Sequence, residues 1–173
     1  MFDPTIYENL KVVVEGEIYE RDLNGEIVII DRQDCVNLAT MSRYYAITFQ
    51  LLGTSPLYKA TIRLEAESAD LYGEILENEK HPGCNLLLSV RGPIKEVEVL
   101  PASFQDRLAS LWDNRPKISQ QISFDWNKNK QPQYYLSTTL QFDRKINESH
   151  ISDFPEIISL LQGSLELFEE INE

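Results

Sequence analysis

The chain has 173 residues, 42% of them hydrophobic and 25% charged, enough for one domain that removes roughly 70% of its extended surface from water. Its 28 acidic and 16 basic side chains leave a formal charge of −12, which repels phosphate backbones and anionic lipid and argues against nucleic-acid or membrane partners. Two distant cysteines, Cys35 and Cys84, make no disulfide framework, and no run of about 18 apolar residues offers a membrane span. The opening MFDPTIYENL lacks the basic-then-apolar order of a signal peptide, so the chain reads as a single cytoplasmic domain over residues 1–173.

Residues 11–32 read as a β-hairpin. Val12, Val14 and Ile18 fall at even spacings, and Asn24-Gly25 suits the positive φ of a two-residue type I′ turn. In that register Tyr19 faces Ile30 and Glu17 faces Arg32, an ion pair across the strands. Asp34 then stands at a strand end, as the cap of a two-turn helix over 35–41.

A second hairpin is expected over 43–67. Tyr45, Ile47, Phe49 and Leu51 alternate with polar or small residues, and Tyr58, Ala60, Ile62 and Leu64 do so after Gly53-Thr54-Ser55-Pro56. The period then changes to about 3.6: Ser68 caps a helix whose stripe is Leu71, Tyr72, Ile75 and Leu76, ended by His81-Pro82-Gly83. Two short strands, 85–91 and 94–100, are expected around Gly92-Pro93. Pro101 opens a helix with Phe104, Leu108, Leu111 and Trp112 on one face.

The last hairpin pairs 118–126 with 134–142 across an exposed tip, Asn127 to Pro132, reading NKNKQP. A long amphipathic helix follows, with Asp153 as its cap or Pro155 in its first turn, and Phe154, Ile157, Ile158, Leu161, Leu165 and Phe168 in one stripe. The fold class is α+β: antiparallel hairpins forming one or two sheets, covered by amphipathic helices that include the long C-terminal one.

Chemistry is scarce. Gly-x-Ser-x-Gly, phosphate-cradling glycine loops, C-x-x-C and H-E-x-x-H are all missing from the sequence, so no catalytic residue, metal site or cofactor is assigned. His81 and Cys84 lie three apart, but the intervening Pro-Gly suits a turn better than a base–nucleophile dyad. Asp31 and Asp34 could share a proton or a metal ion, or contact a ligand, though capping and strand-end roles account for them better. Arg43, beside Tyr44 and Tyr45, fits either recognition of a carboxylate or cover over apolar surface.

Residues 115–145 carry +4 and leave −16 on the remainder. Within that segment Trp126, Lys128, Lys130, Tyr134 and Tyr135 gather at the last hairpin, a surface that suits an acidic protein partner. The expectation is an interaction module without enzymatic activity (an adaptor, inhibitor or chaperone-like protein), binding another protein or itself. The alternative is a ligand-binding or hydrolytic domain, with a pocket between the sheet and the C-terminal helix walled by Asp31, Asp34, Arg43 and Arg63.

Overall fold

The structure is a computed structural model that describes residues 5–77 and 82–173. In chain order it runs α1 (Thr5–Leu23), β1 (Ile27–Asn37), β2 (Ser42–Leu51), β3 (Lys59–Ala66), α2 (Ser68–Ile75), β4 (Asn85–Ile94), α3 (Leu100–Leu111), β5 (Lys117–Phe124) and β6 (Tyr134–Gln141). A 3₁₀ turn, Glu148–Asp153, then leads into α4, Phe154–Asn172. The strands make one six-stranded sheet, ordered β1-β2-β3-β4-β6-β5, with every neighbour antiparallel. The class is α+β, with the long C-terminal helix expected from the stripe.

One face of the sheet is covered. Helix α4 packs on β2, β3 and β4, with α1 against β1 and β3 and α3 against β5. Ile47, Ile62, Leu88 and Leu140 stand in register across four strands and are fully buried under that layer. From α4 they meet Phe154, Ile158, Leu161, Leu165 and Phe168, also fully buried. The other face has polar and small residues at the alternate positions and is left to solvent, the usual arrangement of a one-sided antiparallel sheet.

The first hairpin of the sequence reading is a helix instead. Tyr7, Leu10, Val14 and Ile18 are buried while Val12 is exposed, so the apolar stripe has a period near 3.6, not two. Asn24-Gly25 terminates that helix. Gly25 has φ +73°, its N–H donates to Asp22 O at 3.0 Å, and Glu26 N–H donates to Arg21 O at 3.0 Å. These are the two bonds of a Schellman C-cap, which needs the same left-handed glycine as a type I′ turn. Arg32 consequently faces Glu15 at 3.9 Å and Tyr19, not Glu17.

Three further expectations change. Residues 35–41 form no helix: β1 runs to Asn37, whose side chain accepts from Ala39 N–H at 3.0 Å and starts the turn into β2. Asp34 is therefore a strand residue and caps nothing. Residues 85–94 are one strand, because β6 pairs with it without a break from Leu87 to Ile94, while β3 reaches only to Arg91. At Pro93 only β6 lies alongside β4, so the missing N–H takes no bond from β3. Residues 95–99 turn into α3, which opens at Leu100 with Pro101 in its first turn.

Ser68 is the first residue of α2, not its cap. It is the Asp70 carboxylate that accepts the Glu67 N–H, at 3.0 Å. Asp153 makes no side-chain cap; the cap sits earlier, where Asn147 accepts from Ser149 N–H at 3.0 Å and His150 Nδ1 accepts from Asn147 N–H at 3.1 Å. His81 lies outside the described residues, so the His81–Cys84 pair has no structural account.

Candidate functional site

The sheet sorts the residues of the dense 29–45 stretch onto two faces. The β1–β2 register slips at Ile30, so that Ile29 pairs with Phe49 and Asp31 with Thr48. A bulge of this kind sets two residues against one and reverses the parity of everything after it. Asp31 therefore lies on the open face, where Gln33 Nε2 donates to it at 2.9 Å. Arg32 and Asp34 turn toward α1.

Asp34 and Arg43 do come together, with help from a helix. Lys11 Nζ lies 2.5 Å from Asp34 Oδ2, and Tyr7 OH donates to Oδ1 at 3.4 Å. Arg43 donates to Glu8 Oε1 at 2.7 Å, reaches Asp34 Oδ1 at 3.4 Å, and lies 4.6 Å over the Tyr7 ring. Burial raises the Asp34 carboxyl, but the Lys11 hydrogen bond and the charges of Lys11 and Arg43 outweigh it and hold it below the usual carboxylate range. Burial, and next the Asp34 charge, push the Tyr7 hydroxyl well above its ordinary value, so it remains a protonated donor. These contacts dock α1 onto β1 and β2.

Arg63 is elsewhere. It lies on the open face, 3.7 Å over the Tyr44 ring and 2.5 Å from Glu65 Oε1. The four residues expected to wall one pocket are thus divided, Asp34 and Arg43 beneath α1, Asp31 and Arg63 across the sheet. A cavity does exist between the sheet end and α4. It measures about 400 Å³, with Trp112, Phe142 and Ile146 in its wall and Arg144, His150 and Glu156 at its rim. Among the described residues no group of three His, Cys, Asp or Glu side chains could hold a metal ion, and no helix is long and apolar enough to cross a membrane.

The last hairpin has its own asymmetry. Strand β5 is an outer strand of the sheet and, among the described residues, pairs only with β6. Ile122 and Phe124 share the parity of Ile118 on the helix-covered face, yet they are 40% and 52% exposed. Beyond them Trp126 is 80% exposed, at the start of a loop that carries Lys128 and Lys130. Tyr134 packs its ring against Phe124 at 5.4 Å, whereas Tyr135 points to the open face under Arg91 at 5.3 Å. Ile122 and Phe124 are the residues that the alternation alone did not single out. They read as core positions, and only the end of the helix layer leaves them uncovered.

Compared with known proteins, the chain matches no family model, no curated protein and no solved structure. Fold and surface define a helix-covered, six-stranded antiparallel sheet with one open face and an uncovered apolar edge.

Proposed function

We propose that the protein acts by binding another protein chain along the outer edge of β5, and that it is not an enzyme. The observation that carries this reading is the exposed apolar run of Ile122, Phe124 and Trp126 at the end of a strand whose outer edge has no neighbour among the described residues. Strand β5, KISQQISF, has no proline and no charge after Lys117. An edge of that composition is a template for pairing unless something covers it. A partner strand would gain main-chain hydrogen bonds from the edge and specificity from the Phe124 and Trp126 side chains. Lys128 and Lys130 flank the site and favour an acidic partner segment. That partner is a second copy or another protein; a cytoplasmic setting, with Cys35 and Cys84 as free thiols, belongs to the same reading.

Affinity capture with wild type and with the double variant Phe124→Lys/Trp126→Ser tests it, alongside light scattering after gel filtration. The variant is expected to lose the captured chain, or the dimer, with no fall in melting temperature. Capture or self-association that survives the double variant would sink the proposal.

A second reading rests on the cavity at the sheet end. Its apolar wall and charged rim suit a small ligand. A compound at about 100 times its dissociation constant should add about 2.7 kcal/mol of stability and quench Trp112 fluorescence. A metabolite panel that shifts neither signal removes this alternative.

A further inference from the structure

The open face of the sheet holds an arrangement independent of the β5 edge. Thr48, Thr61, Ser89 and Thr139 stand side by side across β2, β3, β4 and β6, and the Thr48 and Thr61 hydroxyls are hydrogen-bonded at 2.8 Å. With strands about 4.8 Å apart, that hydroxyl row spans about 14 Å. In the adjacent row Lys59 directly opposes Arg91, about 7 Å along the strands from the hydroxyls.

Two like charges facing each other across a ladder are unfavourable. Neither cation forms an ion pair among the described residues, although Arg91 covers the Tyr135 ring. Four cations (Lys59, Arg63, Arg91 and Lys117) occupy open-face strand positions against two carboxylates, Asp31 and Glu65, in a chain whose total is −12. This face has the opposite sign to the molecule.

The β1 bulge completes the site. Ile30 and Asp31, the two residues it sets against Thr48, both line a shallow basin of about 480 Å³ with the hydroxyl row and the Lys59–Arg91 pair. Hydroxyl side chains both donate and accept, and a carboxylate accepts only. A ligand matched to this basin has an anionic group for Lys59 and Arg91, several hydroxyls for the Thr/Ser row and Asp31, and a C–H face for Ile30. The two rows lie about 7 Å apart along the strands, on the scale of a hexose carrying a terminal phosphate. We propose that the open-face basin binds a small phosphorylated sugar. A polyanionic chain is disfavoured by the net charge of −12.

An NMR titration of the ¹⁵N-labelled chain at low salt tests this with four probes: glucose 6-phosphate, ribose 5-phosphate, glucose and inorganic phosphate. Saturable shifts of the Thr61, Ser89 and Thr139 amides are expected with a sugar phosphate. They should weaken at least about tenfold in Lys59→Gln/Arg91→Gln, because each charge-assisted contact to phosphate is lost. Both side chains are exposed, so an unchanged melting temperature will show that the variant is folded. Thr61→Val, which keeps the strand, should weaken the sugar phosphate and leave inorganic phosphate unaffected. Three results would overturn the proposal: silence at these amides with both sugar phosphates at millimolar concentration, inorganic phosphate binding as tightly as either, or shifts unchanged in the double variant.

Discussion

The indole N–H of Trp112 donates to Ser164 Oγ at 2.9 Å, and that hydroxyl donates in turn to Leu160 O at 2.7 Å. Trp112 closes α3 and Ser164 lies in α4, so this buried chain fixes how the two helices lie on the sheet. In Ser164→Ala the indole N–H is left buried without an acceptor. The expected loss is about 1–3 kcal/mol, read as a lower urea midpoint at unchanged slope. Trp112→Phe removes the donor together with the need for it, but leaves a smaller ring in the space.

Gly92 and Gly16 should respond in opposite directions to alanine. A Cβ at Gly92 would press on the Tyr58 ring and come within 2.8 Å of Phe168 Cε1. These two rings already meet edge to face at 5.5 Å under α4. Overpacking there should cost about 1–3 kcal/mol. At Gly16, inside α1, a Cβ meets nothing within 4 Å, and alanine should add about 0.5–1 kcal/mol through helix propensity. Thermal unfolding of the two single variants checks both signs.

Asp34 contributes a pH-dependent share of stability. Its folded carboxyl lies below the ordinary range, so its contribution is complete above the unfolded value, about 3.9. It is lost as pH falls through the folded value. Because the carboxylate is partly exposed, solvent screening limits the pair to about 1 kcal/mol. Asp34→Asn should therefore unfold about 2–4 °C lower at pH 7. The gap to wild type should close in acid; a gap of the same size at pH 7 and well below pH 4 would refute the assignment.

Asp70 is buried and takes its charge partner from Lys145, while its second oxygen accepts from Glu67 N–H. The ion pair joins α2 to the segment after β6. Lys145→Met should strand a buried carboxylate at a cost of about 2–3 kcal/mol. Adding Asp70→Asn in the same chain should recover part of that, since the amide is neutral. A double variant no more stable than Lys145→Met alone would show that the charge is not what matters.

Much of the fold is legible from period alone. The β2–β3 and β5–β6 hairpins, α3 and α4 each carry an apolar alternation or stripe, interrupted in β5–β6 only by Gln120 and Thr138, and local spacing is sufficient where one face is buried. Helix α1 is the instructive failure. Val12 and Val14 imitate a strand, and Asn24-Gly25 imitates a hairpin turn, because a left-handed glycine serves a Schellman cap and a type I′ turn alike. Tyr7, Leu10, Val14 and Ile18 held the contrary signal, at spacings of three and four.

Composition, charge and periodicity by themselves determined an acidic α+β chain with hairpins and a long closing helix, since these follow from which side chains avoid water along one element. Only the tertiary structure decided what the polar clusters do. Partners for Asp34 and Arg43 arrive from α1, 23 to 35 residues earlier in the chain, and the bulge at Ile30 sends Asp31 to the opposite face. The hydroxyl row exists only because three separate strand registers agree. Long-range pairing and the end of the helix layer set those features, and no local pattern encodes either.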